Sequence, residues 1–333
     1  MIRYIVRRSA SGIVVLLTLV AGLFVLQHLS PADPVSALVG DKAPPAAIAH
    51  ARHQLGYDRP LIVQFWNYLR EIAHLNLQTS LRTKNPVSTD ILNTIGPTIE
   101  LLIFAMLWTL LGGFLLGYLT MRGGRIAAIV RVLMVSAASV PPFLLALLFI
   151  IFLYGRLGVL PAIGQTSVAN APSGPTGILV FDSLVRGEFA TTLDALRHVI
   201  LPSITLAAAP AVAVGRSFSS AVTTALRSDY VKTARMKGLT PRQVMTRHLV
   251  RNCLNSTLAM TGLQIGVMLA WVTIVESIYS WPGIGQYLAL SIAATDLPAI
   301  VGVALVFGAI FIVVNTCVDI GQALADPRIA LNR

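Results

Sequence analysis

The sequence predicts an all-α integral membrane protein with six transmembrane helices. Of its 333 residues, 55% are hydrophobic and only 12% are charged, which is about half the usual charged fraction of a soluble domain. Several separate apolar stretches have the roughly 17 to 25 residues that a helix needs to cross a bilayer. We place the six predicted helices near residues 9–29, 98–120, 132–154, 199–224, 254–279 and 299–320.

The distribution of Lys and Arg predicts the orientation in the membrane. Basic residues precede the first apolar stretch and are frequent in residues 225–252, whereas residues 280–298 contain none. Because cytoplasmic loops carry an excess of Lys and Arg, both termini and the 225–252 loop are predicted to be cytosolic. Residues 30–97 and 155–197 then lie outside the cytosol. The net charge of +11 therefore reflects membrane topology and indicates no nucleic-acid partner.

The first apolar stretch has the basic start of a signal peptide, but it is too long for one and no A-x-A site follows it. We interpret it as an uncleaved first helix. No repeat of 20 to 50 residues is visible, so residues 1–333 are predicted to form a single transmembrane domain. Cys253 and Cys317 fall at or within predicted helices and are interpreted as small apolar residues.

The extracytoplasmic segment after the first helix contains two predicted short helices. A turn at residues 56–60 separates a helix at 45–55 from an amphipathic stretch at 61–75. This stretch could lie in the membrane interface, dock a partner, or pack on the chain's own outer face. Its aromatic residues are Phe65, Trp66 and Tyr68.

The second extracytoplasmic segment, residues 155–197, is rich in Gly and Pro. Because Gly and Pro interrupt regular structure, we expect an irregular loop, whose role the sequence leaves open.

Within the predicted helices, small residues recur at every fourth position, which favours close approach of neighbouring helices. These residues are Gly113 and Gly117 in one helix, and Gly262, Gly266 and Ala270 in another.

The cytosolic loop carries signals for a short helix that starts and stops sharply. Ser228 or Asp229 is predicted to cap its start, and Gly238 is predicted to end it in the left-handed conformation. Thr240 and Gln243 then have the spacing of a capping box for a second helix, with Pro241 at its first position. A short capped helix between two membrane helices is suited to dock in a groove of another protein.

One face of this short helix is predicted to dock. Residues at spacings of three and four share a helix face. That face combines Tyr230, Thr233, Ala234 and Lys237.

The segment Asp-Tyr-Val-x-Thr-Ala-Arg-x-Lys-Gly-Leu at residues 229–239 resembles the EAA-type coupling loop of type I ABC importers. Further motifs resemble the B-type permease subunit of the dipeptide, oligopeptide and nickel importers, and this resemblance spans nearly the whole chain. Those motifs are Arg3-Tyr4-x-x-Arg7-Arg8, Asp33-Pro34, Leu55-Gly56-x-Asp58-x-Pro60, Ile200-Leu201-Pro202, Glu276-x-Ile278-x-Ser280-Trp281-Pro282-Gly283-x-Gly285 and Asp326-Pro327-Arg328.

The resemblance implies a MetI-like permease fold in the bacterial inner membrane. It also implies four kinds of partner: a homologous second permease, two cytosolic ATPases, an extracytoplasmic substrate-binding protein and membrane lipid. The ATPases, rather than this chain, would bind ATP and magnesium, and this chain has no G-x-x-x-x-G-K-[ST] sequence to cradle phosphates. A non-catalytic subunit without a cofactor is therefore expected. The residues expected to couple it to the ATPases are Asp229, Tyr230, Thr233, Ala234, Arg235, Lys237 and Gly238.

Three charged residues in the predicted helices are candidates for the translocation pathway or a gate. Glu100 and Glu276 fall near the outer ends of their helices, where an interfacial carboxylate in reach of water is the alternative to a gate or substrate contact. Arg216 lies about ten residues before the cytosolic end of its helix, which favours a pathway or ion-pair role.

The transported substrate is predicted to be a peptide, and nickel or another small solute is the alternative. His50 and His53 are spaced i, i+3, but two histidines without further ligands make an incomplete metal site.

An ion-coupled secondary transporter is the main alternative of another class, since Pro141-Pro142, Pro210 and buried charge also suit such proteins. An intramembrane enzyme has little support, because H-E-x-x-H and G-x-S-x-G are absent from the sequence.

Overall fold

The computed structural model describes residues 2–29, 44–54, 56–169, 174–240, 243 and 250–325. In this part of the chain the regular structure is helical, apart from one isolated bridge between Thr79 and Pro86. The helices are α1 (Ile2–Leu29), α2 (Pro45–Gln54), α3 (Leu61–Ala73), α4 (Val87–Met121), α5 (Gly124–Ser139), α6 (Pro142–Phe149), α7 (Leu179–Val185), α8 (Phe189–Leu226), α9 (Asp229–Met236), α10 (Val250–Ile278), α11 (Ile284–Ala293) and α12 (Leu297–Ala325).

Four helices in the described residues are long and apolar enough to span a membrane: α4, α8, α10 and α12. The bent pair of α5 and α6 makes a fifth if it counts as one span. Helix α1 carries an apolar run over residues 10–25. The prediction of an all-helical membrane protein is confirmed, while the number of six spans and the cytosolic termini stay predictions.

The helix predicted at 132–154 is not continuous. Helix α5 ends at Ser139 and α6 begins at Pro142, with a bend of 105° between them. Val140 precedes a proline and adopts an extended conformation, because the proline ring disfavours the helical conformation of the residue before it. Past Phe149 the chain continues as a π-helix to Arg156. Pro210, by contrast, lies inside α8 without ending it.

The segments predicted to lie outside the cytosol are more regular than expected. Helix α7 lies within the Gly/Pro-rich segment, and α8 begins at Phe189, ten residues before the predicted start. An irregular loop is therefore wrong for the second half of that segment. In the first segment, α2, the turn after it and α3 agree with the predicted helix, turn and helix.

Helix α8 lies at the centre of the bundle and packs closely on α4. A Cβ built on Gly117 of α4 would lie 2.8 Å from the carbonyl oxygen of Gly215, so the two backbones touch. Likewise, a Cβ on Gly266 of α10 would lie 2.8 Å from Phe311 of α12. The predicted close packing of the small residues is confirmed for both helices, although Ala270 is exposed and takes no part in it.

Candidate functional site

Helix α9 ends as the sequence predicts. Gly238 has a φ of +79°, in the left-handed region that favours glycine. The amide of Leu239 donates a 3.3 Å hydrogen bond to the carbonyl of Ala234, which is the backbone pattern of a Schellman C-terminal motif. The side chains of Leu239 and Ala234 also pack in one apolar cluster. Gly238 thus fixes where the helix stops and in which direction the chain leaves it.

The capping box after α9 is formed. The amide of Gln243 donates to the hydroxyl of Thr240 at 3.3 Å, and the side-chain oxygen of Gln243 accepts from the amide of Thr240 at 2.9 Å. These reciprocal bonds satisfy two amides that the start of a helix would leave free. Pro241, predicted as the first helical position, lies outside the described residues.

The start of α9 differs from the prediction. Ser228 donates its hydroxyl to the carbonyl of Ala225 rather than accepting a bond from an amide of α9. The reason is that α8 ends only two residues earlier, at Leu226, and its last carbonyls also need donors. Asp229 instead pairs with Lys232 at 2.9 Å, an exposed ion pair that contributes little to stability.

The burial of α9 corrects the predicted docking face. Ala234 is only 6% exposed and packs with Val231, Leu226 and Leu239 of the same chain, so its side chain is not available to a partner. The exposed surface contains Tyr230 and Met236, the latter 80% exposed and missed by the sequence analysis. Other exposed residues of the loop are Asp229, Lys232, Thr233 and Lys237, while the side chain of Arg235 lies outside the described residues.

Glu276 caps the start of a neighbouring helix. Its carboxylate accepts hydrogen bonds from the hydroxyl of Thr98 at 2.7 Å and from the amide of Gln286 at 3.0 Å. The amide of Gly285 also faces it. The same Thr98 hydroxyl accepts from the amide of Ile284, at 2.8 Å. The free amides at the start of α11 are thus satisfied by α10 and α4, and an acidic side chain lies at the positive end of the helix.

The Ser-Trp-Pro-Gly motif explains why Glu276 reaches this position. The indole of Trp281 is buried and donates to the carbonyl of Pro97 in α4 at 2.9 Å. Gly283 must lack a side chain, because a Cβ there would overlap both the Glu276 carboxylate and Thr98. The motif therefore folds the chain back so that α11 starts directly on the carboxylate.

Glu100 has the equivalent position at the start of α7. Its carboxylate accepts from the amide of Val180 at 2.7 Å, and the side-chain amide of Gln165 donates to its other oxygen. One turn earlier in α4, the backbone of Gly96 touches that of Gly177, which brings the segment around Gly177 onto α4. Glu100 thus fastens this segment to a membrane helix.

Both carboxylates are buried, which corrects one of the two predicted alternatives. Glu100 is 1% exposed and Glu276 is 0% exposed, so the interpretation as interfacial carboxylates in reach of water is wrong. In the chain alone, neither carboxylate is open to a substrate, because both are occupied by backbone amides. Buried charge that accepts several hydrogen bonds from a helix start indicates a structural joint.

Arg216 is exposed on α8 and has no ion-pair partner among the described residues. The neighbouring Ser217 lies near Ser256 of α10, with their hydroxyl oxygens 3.5 Å apart. Arg216 therefore forms no ion pair with Glu100 or Glu276 among the described residues.

A polar network at residues 76–90 was missed by the sequence analysis. Ser80 and the amide of Arg82 both donate to the buried Asp296, and the hydroxyl of Tyr287 donates to Asp90 at 3.1 Å. Burial raises the pKa of Tyr287 to about 12, so its hydroxyl remains a donor. The available signal was the polar run before Pro86, which is typical of a turn that leads into a helix.

No group of three potential metal-ligating side chains occurs in the part of the chain that the structure describes. His53 pairs instead with Asp58, at 3.0 Å, on the surface.

Comparisons with known proteins identify the family of the chain. Residues 109–331 match the model of the binding-protein-dependent transport system inner membrane component, and residues 1–100 match the N-terminal model of such membrane components. A di/tripeptide transport system permease protein of Pseudomonas aeruginosa (strain UCBPP-PA14) is 36% identical over 100% of both chains.

Two further relatives cover nearly the full length. A probable D,D-dipeptide transport system permease protein of Escherichia coli (strain K12) is 35% identical over 98% of this chain and 97% of the relative. A glutathione transport system permease protein of Salmonella typhimurium is 33% identical over 99% of each. With apolar helices that cross the membrane several times, the chain belongs to the family of binding-protein-dependent transport system inner membrane components.

Proposed function

We propose that the chain is the permease subunit of an ATP-driven peptide importer and forms half of its translocation pathway. In this proposal six helices cross the membrane, both termini are cytosolic, and the α8–α10 loop faces the cytosol. The basic residues of that loop support the orientation. The family supports the architecture, because its members are membrane components of binding-protein-dependent systems.

The observation that carries the proposal is the construction of α9. The helix has eight residues, a Schellman motif at its end and a capping box directly after it. Its inner side is anchored by Val231 and Ala234, whereas Tyr230 and Met236 are exposed. A short helix that keeps its shape and exposes apolar groups to water is suited to sit in a groove of a partner.

In our proposal the partner whose groove receives α9 is a cytosolic ATPase. Two ATPases would bind ATP and magnesium, a homologous second permease would complete the pathway, and an extracytoplasmic binding protein would deliver cargo. Because α9 packs on Leu226 at the end of α8, a displacement of α9 by the ATPase would be transmitted directly to α8. This chain would then take part in transport without catalysing ATP hydrolysis.

Short peptides are the proposed cargo. The relatives are named for transport of a D,D-dipeptide, of di- and tripeptides, and of glutathione, which share a short peptide-like backbone with a terminal carboxylate. No observation in the described residues favours nickel. Arg216, an exposed cation in the membrane, is a candidate for contact with such carboxylates.

The test is to purify the chain with the subunits that accompany it, reconstitute the complex, and measure ATP hydrolysis with the binding protein and each ligand. We expect di- and tripeptides to raise the ATPase rate and Ni²⁺ to leave it unchanged. Stimulation by Ni²⁺ alone would assign the cargo to the metal. Ion-coupled solute flux by the lone chain would show that it is a secondary transporter.

A further inference from the structure

Helix α3 is held against two membrane helices by one of its faces. Its residues Phe65, Tyr68, Leu69 and Ile72 pack on the cluster formed by Val20 of α1 with Val301 and Leu305 of α12. The rings of Phe24 and Phe65 are 5.2 Å apart. The position of α3 is therefore fixed by the chain itself.

The contacts of α3 place it at one end of the apolar region. Nε2 of His28 lies 3.0 Å from the side-chain oxygen of Gln64, just past the apolar run of α1 that ends near residue 25. On the other side, Val301 and Leu305 lie in the first turns of α12, which begins at Leu297. Since apolar runs of this kind end where the hydrocarbon ends, α3 lies at the boundary between hydrocarbon and headgroups.

A second apolar surface of α3 is largely exposed in the part of the chain that the structure describes. Ile62 is 83% exposed and Trp66 is 70% exposed. They lie one turn apart and, at about 100° per residue, occupy the strip beside the packed face. Farther round the helix come the exposed polar residues Asn67 and Arg70. The apolar strip thus lies between the protein-facing side and the polar side.

We propose that the strip of Ile62 and Trp66 inserts into the outer boundary of the bilayer and binds phospholipid. A Trp side chain suits this depth, because its ring is apolar and its N–H reaches polar headgroups. Arg70, one turn after Trp66, places a cation beside the strip, where lipid phosphates lie. Val25 and Leu29 of α1 are exposed as well.

The function of this contact is to anchor the extracytoplasmic segment at a fixed depth. An amphipathic helix in the interface resists both sinking into hydrocarbon and lifting into water, because each movement mismatches one of its sides. Helix α3 therefore holds the outer ends of α1 and α12 at the level of the headgroups. The inference rests on the proposed orientation in the membrane and does not depend on the identity of the cargo.

Fluorescence quenching tests the proposal. The full chain, purified with its accompanying subunits, is placed in nanodiscs whose phospholipids carry bromine either near the glycerol or near the chain end. The difference between wild type and Trp66→Phe isolates Trp66 from the other tryptophans of the sample. We expect shallow bromine to lower this component about twofold and deep bromine to lower it less, as for an interfacial Trp.

A component that no brominated lipid quenches would overturn the proposal, whether water or another protein covers Trp66.

A second measurement does not depend on the Trp66→Phe substitution, which could itself perturb the structure. Spin labels are attached to Ile62→Cys or, as matched control, Asn67→Cys, with Cys253 and Cys317 replaced by Ala. Oxygen should reach the label at 62 more readily than a water-soluble nickel chelate does, and the preference should reverse at 67. Preferential access of the chelate to 62, or exclusion of both probes, would also contradict lipid contact.

Discussion

The hydroxyl of Thr98 on α4 binds two residues that are far from it in sequence: it donates to Glu276 of α10 at 2.7 Å and accepts from the amide of Ile284 at the start of α11, at 2.8 Å. Three helices therefore meet at one hydroxyl and one carboxylate. Because both groups are buried, water cannot replace a missing bond.

Replacing Glu276 should destabilise the chain. In Glu276→Ala the amides of Gln286 and Gly285 lose their acceptor, at a cost of about 1–3 kcal/mol for each buried group left unsatisfied. We expect a lower Tm of the purified protein and reduced transport. The control is Ser277→Ala, whose exposed hydroxyl bonds only to the carbonyl of Thr273 in its own helix. Equal Tm values for both variants would show that the cap contributes nothing.

Gly238→Val should uncouple ATP hydrolysis from transport. A β-branched residue at a φ of +79° is strained by about 1–3 kcal/mol, so the Schellman motif should open and α9 should change direction. We expect ATPase subunits to remain bound in pull-downs while peptide uptake in vesicles falls. Gly238→Asn is the matched control, because Asn tolerates the left-handed region. Normal uptake by Gly238→Val would contradict the proposed role of the loop.

Substitutions on the two sides of α9 should have different effects on stability and on association with the ATPase. Tyr230→Ala removes an exposed group and should weaken association with the ATPase while Tm stays unchanged. Ala234→Asp instead buries a carboxylate among Val231, Leu226 and Leu239, so it should lower Tm as well as association. Lys232→Ala, on the opposite side of the helix from Tyr230, is expected to do neither. Pull-down and thermal unfolding of all three variants separate a docking surface from an internal one.

Adjacent glycines of α4 should differ in their tolerance of a methyl group. A Cβ on Gly113 would lie 2.8 Å from Cγ1 of Val214, whereas one on Gly112 would make an ordinary contact of 3.4 Å with Ala211. Gly113→Ala should therefore destabilise the α4–α8 contact by about 1–3 kcal/mol, and Gly112→Ala should be nearly neutral. Thermal unfolding in detergent measures both; an equal response would contradict the close contact.

The orientation is tested with cysteines at exposed positions. Gly174 is unsuitable, because a Cβ there would overlap the carboxylate of Asp182, whereas Val185 is 70% exposed in the same segment. In a chain carrying Cys317→Ser, Val185→Cys should react with an impermeant thiol reagent from outside, and Met236→Cys only after permeabilisation. The reverse pattern would invert the proposed topology.

The parts of the site that the sequence predicted are those with local causes. Gly238 and the Thr240–Gln243 pair act within a few residues, so spacing alone identified them. The burial of Ala234 depends on Leu226 and Leu239 beyond the helix, and spacing placed Ala234 on the wrong side. The predicted spans were found from apolar length, but length could not reveal the break at Pro141.

The partners of Glu100 and Glu276 were beyond sequence reasoning for a different reason. An apolar helix with one carboxylate near its end has the same pattern whether that carboxylate meets water, substrate or a helix start. The bond from Val180 to Glu100 spans 80 residues, and no periodicity relates the two positions. The Pro-Gly pair of the Ser-Trp-Pro-Gly motif is typical of a turn and could have predicted that the chain turns back near Glu276.

The order of caps along the chain has a consequence for biosynthesis. Each carboxylate is synthesised before the helix it caps, since Glu276 precedes Gln286 by 10 residues and Glu100 precedes Val180 by 80. The amide that binds Glu276 is therefore synthesised shortly after it. Glu100, in contrast, enters the bilayer with α4 before α5, α6 and its partner Val180 are made. Until α7 is made, Glu100 lacks the amide of Val180, so we expect release of α4 from the insertion machinery to depend on the arrival of α7.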